Sequence, residues 1–331
     1  MSEIYSGHLS RNDRLFDYLR YEIFPQLGCD CRDGIRVFKT NGSNAVYIYE
    51  DRRYCKKVVG KFFYSERQRD WNSAIRRLER EFDNINEFRS YLGNHHHVAR
   101  LLGRNNDLGC LLVVEHCNGD LLDSIIMRSI QSNDDSILYQ KLTALAYFLA
   151  TLHNKSARSR KVDFNEQCRY FCCMLQGIED VSEKHERDAL WNMCCQWKND
   201  SVVWQDQEVL VHGDATPSNF IFGDGLNVSS FDLERVKRTD RCFDIGMLSA
   251  ELQHFFMRTT GNKYSAERFI GHFIWEYCCH FPDRLCAFKS IVSRIPFYMG
   301  TTLLRIARNR YLDNSYRRQL VKEAFLTLNR S

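Results

Sequence analysis

The chain has 331 residues, enough for one large domain or two smaller ones sharing a cleft. Apolar residues make up 44% and charged residues 27%, and the formal net charge is +4, too weak to imply a nucleic-acid or membrane partner. No apolar run approaches the roughly 18 residues of a membrane span, and the start Met1-Ser2-Glu3-Ile4-Tyr5 has no signal-peptide character, so the expected location is the cytoplasm.

In chain order, Leu15, Leu19 and Ile23 recur at helical spacing over 12–24, with Asn12 in the capping place. Ile35 to Phe38, Ala45 to Tyr49 and Cys55 to Phe63 read as three strands joined by polar turns, an antiparallel meander. A helix follows over 72–92, with Ile75, Leu78, Phe82, Ile85 and Phe88 on one side. Val98 to Leu102 and Leu111 to Val114 are short strands. The β-rich part, 1–118, is expected to be one lobe, with a hinge near 115–119.

The rest, 119–331, is expected to form a larger helical lobe. Leu138, Leu142, Leu145, Leu149 and Leu152 mark an amphipathic helix over 136–153, and 165–200 is helical and polar. Val209 to Val211, Phe220 to Phe222 and Asn227 to Phe231 are strands, with a hairpin turn at Asp224-Gly225. From about 244 onward the pattern is helical. Fourteen cysteines lack any CxxC pair, which argues for scattered free thiols rather than a zinc or redox site. The fold class is therefore α+β, with a small antiparallel lobe ahead of a helical one.

The chemistry concentrates in Val211-His212-Gly213-Asp214-Ala215-Thr216-Pro217-Ser218-Asn219. A strand ends in a loop bearing one carboxylate, with an amide five residues on. Phosphoryl transfer needs a carboxylate to orient the attacking hydroxyl and accept its proton, and oxygen ligands for Mg²⁺. Asp214 suits the first task and Asn219 the second. Asp232 follows 13 residues beyond Asn219, again after a strand, and Glu234 lies two further on. Asp232 suits a metal ligand bridging the β- and γ-phosphates.

HGDxxxxN followed by DxE resembles the aminoglycoside phosphotransferase and choline kinase group of the protein-kinase-like superfamily, over roughly 35–250. The resemblance implies a two-lobed kinase-like fold, with ATP or GTP as co-substrate between the lobes and Mg²⁺ as cofactor. Gly42-Ser43-Asn44 resembles the first turn, whose backbone approaches phosphate oxygens. Lys61 resembles the lysine of the α- and β-phosphates, with Lys56 and Lys57 as competitors, and Glu81 its partner on the next helix, with Glu79 and Glu87 as alternatives. Glu115 and Cys117 fall in the hinge that holds adenine by its main chain. His153 reads as structural, and Asp244 as a brace that accepts backbone hydrogen bonds from the catalytic loop.

Gly213 stands where regulated protein kinases carry an arginine, and only 11 residues separate Asp232 from Asp244. That span is too short to regulate and also support a peptide, so the expected acceptor is a small-molecule hydroxyl: an aminoglycoside, an amino alcohol or a sugar-like alcohol. The rival readings are a protein kinase, a nucleotidyl transferase and a nucleotide-binding pseudokinase scaffold. Trp191, Trp197, Trp204, Trp275, Tyr277 and Tyr298 are candidates for an acceptor pocket, with core burial as the plainer reading. Arg305, Arg308 and Arg310 form a basic stretch that would either hold an anionic acceptor or face solvent.

Overall fold

The computed structural model describes residues 3–40, 45–65, 70–92, 98–132 and 134–329. The chain divides into two compact units, Met1–Gly119 with Ser229–Glu234, and Asp120–Val228 with Arg235–Ser331.

The first unit is built on an antiparallel sheet of β1 (Glu3–His8), β2 (Ile35–Thr40), β3 (Ala45–Asp51), β4 (Lys57–Phe62), β5 (Leu101–Asn105) and β6 (Leu111–Glu115), in the order β1-β2-β3-β4-β6-β5. The meander is as expected, whereas β1 is an addition at the sheet edge. Its Ile4 and Tyr5 are exposed, so no buried alternation announces it in the sequence. Helix α1 (Arg14–Tyr18) is capped by Asp13 rather than Asn12: the Asp13 carboxylate accepts from Leu15 N at 2.9 Å. The helical path loosens through Leu19–Ile23 and Phe24–Leu27 and ends at Gly28. Leu15, Leu19, Ile23 and Phe24 pack with Val58, Leu111 and Val113 in this unit's core. Helix α2 (Trp71–Leu92) buries Ala74, Leu78, Glu81, Ile85, Phe88 and Leu92 along one face.

The second unit begins with β7 (Asp120–Leu121) and α3 (Leu122–Ser132), a helix the sequence reading passed over. Helix α4 (Ser136–Ser156) follows, and the long polar helix breaks into α5 (Phe164–Gln176) and α6 (Lys184–Asn199) after Gly177 closes the first. Strands β8 (Val209–Val211) and β9 (Phe220–Phe222) flank the HGDxxxxN loop, and β9 pairs with β7. In β10 (Val228–Ser230) the chain returns to the first unit, and in β11 (Lys237–Thr239) it pairs back onto β8.

Helices α7 (Cys242–Thr260), α8 (Glu267–Cys278), α9 (Arg284–Val292), α10 (Ile295–Ala307) and α11 (Asn314–Leu328) complete the unit. A Cβ on Gly246 of α7 would meet Tyr298 Cβ of α10 at 2.4 Å, so glycine permits the close approach of these helices. Arg317 of α11 is buried, donates to Ala307 O at 2.6 Å and clasps Asp180 through both terminal nitrogens. That clasp satisfies the last carbonyl of α10 and fixes where its C-terminal arginines lie. Trp197, Tyr277 and Tyr298 are core residues, which takes three aromatics out of the pocket candidates. All 14 cysteines are free thiols. Among the described residues no helix is long and apolar enough to cross a membrane.

Candidate active site

The site residues fall into two clusters, one in each unit. In the first, Lys61 stands on β4 between Val46 of β3 and Leu112 of β6. Glu81 lies on the buried face of α2, where a carboxylate needs a partner. It has one, because Lys61 Nζ donates to Glu81 Oε2 at 2.7 Å and to Asp232 Oδ1 at 2.6 Å. The competing residues go elsewhere. Lys57 pairs with Glu3 at 2.6 Å, while Lys56 and Glu79 are exposed.

Asp232 has a left-handed backbone, φ 61°, unusual for a residue with a side chain. Its loop is held on both sides: Asn84 of α2 donates to Leu233 O at 2.6 Å, and Ser230 bridges to Val98. Burial works against the Lys61 ammonium, but Glu81 and Asp232 outweigh it and hold its pKa above the ordinary lysine value. Burial pushes the Glu81 carboxyl up to about 7; Lys61 pulls it back, while Asp232 and Glu234 push it further up.

Glu81 and Asp232 thus share one ammonium, and Glu234 brings a third carboxylate oxygen, all within 4.8 Å of one another. Hard oxygens with an excess of negative charge suit Mg²⁺. Glu115 ends β6 opposite Val58, and its carboxylate accepts from Arg100 N at 2.8 Å. The half-buried Cys117 follows just beyond the strand. Gly42, Ser43 and Asn44 lie outside the described residues.

In the second cluster, β8 delivers His212, Gly213 and Asp214. The buried Asp244, in the first turn of α7, accepts from His212 N at 2.6 Å and from Gly213 N at 3.0 Å. His153 in turn contacts Asp244 at 3.3 Å and the Tyr277 hydroxyl at 2.9 Å, the structural place foreseen for it. Gly213 has φ 76°, and a Cβ there would lie 2.0 Å from Arg235 O. Only glycine fits that place without displacing backbone. The loop then turns on itself: Thr216 N donates to Asp214 O at 2.7 Å and Asn219 N to Thr216 O at 3.0 Å. Asn219 Nδ2 also donates to Asp214 O at 2.8 Å, which commits its amide nitrogen inward and leaves Oδ1 as the atom that could meet a cation.

Asp214 does not stand alone. Arg305 of α10 donates to Asp214 Oδ1, and Arg235 Nε lies 3.7 Å from Oδ2. Arg305 also reaches Glu251 of α7 at 3.7 Å and the Met247 sulfur at 3.6 Å. A solvent-facing reading of Arg305 is therefore wrong, since the residue is drawn inward by two carboxylates. Burial pushes the Glu251 carboxyl up to about 7, with Arg305 pulling it down and Asp214 pushing it up. Sequence reasoning left Arg305 open and did not find Asn84 or Glu251; nothing local to those residues signals their partners.

The model of the phosphotransferase enzyme family matches residues 35–278. No curated protein sequence matches the chain. Among solved structures, the chain is similar to an ethanolamine kinase of Plasmodium vivax, with a TM-score of 0.57 at 15% identity, covering 97% of this chain and 90% of that one. It is similar to an amicoumacin kinase solved with AMP-PNP and Ca²⁺, with a TM-score of 0.59 at 16% identity over 93% and 90%. It is also similar to a choline kinase of Streptococcus pneumoniae, with a TM-score of 0.52 at 15% identity over 88% and 92%. These likenesses establish the α+β, protein-kinase-like fold.

Proposed function

The chain belongs to the phosphotransferase enzyme family, and we propose that it moves the γ-phosphate of ATP, or of GTP, to a hydroxyl of a small molecule with Mg²⁺ as cofactor. The observation that carries this reading is the Lys61 ammonium bonded at once to Glu81 and Asp232.

In this reading Lys61 donates to oxygens of the α- and β-phosphates, with Glu81 fixing its position. Glu115 and Cys117 hold the base through their main chain. Asp232 and Asn219 would each offer an oxygen to Mg²⁺, which when bound offsets the phosphate charge. Asp214 orients the acceptor hydroxyl and accepts its proton as the new O–P bond forms and the bond to the leaving nucleoside diphosphate breaks. Asp244 keeps the Asp214 loop in shape by occupying its backbone N–H groups. Arg305 holds the Asp214 carboxylate in its orientation. The catalytic gain comes from positioning and from charge placed in advance.

Loss of γ-phosphate from ATP is expected only with Mg²⁺ present. Asp214→Ala is expected to remove turnover, by a factor on the order of 10³, while nucleotide binding survives. Turnover in Asp214→Ala equal to that of the parent chain would refute the role given to Asp214.

A further inference from the structure

The relatives named above include an ethanolamine kinase and a choline kinase. The surroundings of Asp214 in this chain are rich in cations. Arg305 and Arg235 flank its carboxylate. Arg308 lies one helical turn beyond Arg305 on the same face, at the end of α10. Tyr170 of α5 lies near this group: burial raises the pKa of its hydroxyl, and the charges of Arg305, Arg308 and Arg235 pull against that rise. Lys237 of β11 completes it, with Nζ 5.1 Å from the centre of the Tyr170 ring and 3.7 Å from that of Phe243.

Among these cations Arg305 and Arg235 meet Asp214, and Arg305 also meets Glu251. The carboxylates farther off are engaged. Asp244 is taken up by His212 N, Gly213 N and His153, and Glu166 lies 3.9 Å from Arg169. Arg305 is occupied by Asp214 and Glu251, whereas among the described residues Arg308 and Lys237 have no carboxylate within ion-pair distance. Burial pulls the Lys237 amine down to about 8, although Asp244 and Glu166 push the other way. A lysine held against two aromatic faces with no counter-ion is costly in an isolated chain and repaid when an anion arrives.

We infer that the acceptor is an anionic alcohol, whose phosphate or carboxylate is held by Lys237 and Arg308 beside Tyr170 while its hydroxyl meets Asp214. The inference rests on the phosphotransfer reading and names the class of molecule it serves. A cationic amino alcohol or aminoglycoside would set its charge against four cations at this place.

The test has two arms. The first measures Mg-ATP consumption with neutral alcohols, their phosphorylated counterparts, their carboxylated counterparts, and choline, ethanolamine and kanamycin. A phosphorylated or carboxylated alcohol is expected to exceed its neutral parent by about 100-fold in kcat/KM. Which of the two does so identifies the anion. Lys237→Met and Arg308→Ala are each expected to raise KM for that acceptor by about 10- to 100-fold, with KM for ATP unchanged. Preference for a cationic acceptor, or KM values untouched in both variants, overturns the inference.

The second arm needs no acceptor. Inorganic phosphate, citrate and choline are titrated into the full chain saturated with Mg-ADP, and binding is read by calorimetry. Phosphate or citrate should bind and choline should not, and the signal should fall in Lys237→Met and Arg308→Ala while their melting temperatures hold. Choline binding alone, or anion binding unchanged in both variants, is the contrary result. If ATP neither binds nor loses its γ-phosphate, the phosphotransfer reading fails; if it does both but no anion is engaged, only the present inference fails.

Discussion

The two clusters are opposite in charge. In the first unit two carboxylates, Glu81 and Asp232, share the single ammonium of Lys61, and Glu234 stands beside them. In the second unit one carboxylate, Asp214, is flanked by Arg305 and Arg235, with Arg308 and Lys237 close by. A surplus of carboxylate oxygen is completed by a divalent cation, and a surplus of guanidinium and ammonium by an anion. In the proposed reaction the first cluster would meet the metal and the second the acceptor. The bonds inside each cluster already fix the side chains in place, so binding need not order them first.

The largest change comes from breaking the acidic cluster. Asp232→Ala, or removal of Mg²⁺ by a chelator, is expected to lower turnover by about 10³-fold or more, because the metal supplies several kcal/mol of charge stabilisation. Steady-state rates at saturating ATP, with and without chelator, check this. Retention of full activity in Asp232→Ala would remove Asp232 from the ligand set.

Next in size is the loop that presents Asp214. Gly213→Ala places a Cβ 2.0 Å from Arg235 O on a left-handed backbone. Both effects act on the same few atoms, so a cost of about 3 kcal/mol in stability is expected, together with loss of turnover. Urea denaturation checks it. A variant as stable as the parent would mean that the loop can move away from Arg235 at little cost.

A smaller effect is expected from Arg305→Met, which keeps the bulk of the side chain and removes its charge. Asp214 and Glu251 then lose their shared partner, and kcat should fall about 10- to 100-fold while KM for ATP stays constant. A fall in ATP affinity instead would assign Arg305 to the nucleotide rather than to Asp214.

How far these clusters can be read from sequence follows from how local their causes are. HGDxxxxN and the later Asp232 are visible because each strand and the loop that follows it are neighbours in the chain. Glu81 was picked out by resemblance rather than by period; the structure puts it on the buried face of α2 with Leu78, Ile85 and Phe88, while Glu79 is exposed. Arg305 was not legible. Helical spacing says which residues share a face, yet not what that face meets, and its partner Asp214 lies 91 residues earlier. Asn84 and Leu233 are 149 residues apart and equally silent. Strand β1 escaped for another reason: a polar edge strand buries no alternating face, so its period leaves no trace. Helix α3 escaped although it buries Leu122, Ile125 and Ile126; its apolar stripe is only about one turn long before serines and charged residues take over.

The smallest effect is the most specific to the second cluster. Burial holds the Glu251 carboxyl near 7 in the folded chain, against an ordinary value of 4.5. Between these values the folded state binds more protons than the unfolded one, so stability must decline as pH rises from about 4.5 to 7 and stay low above that range. The shift sets a ceiling of about 3 kcal/mol on this contribution. Glu251→Gln keeps the shape and cannot ionise. It should therefore melt at least as high as the parent chain at pH 8, gain nothing near pH 5, and flatten the slope between. Thermal melts across that range read all three. An unchanged slope would mean that Glu251 is ionised throughout and that Arg305 is shared by two full negative charges.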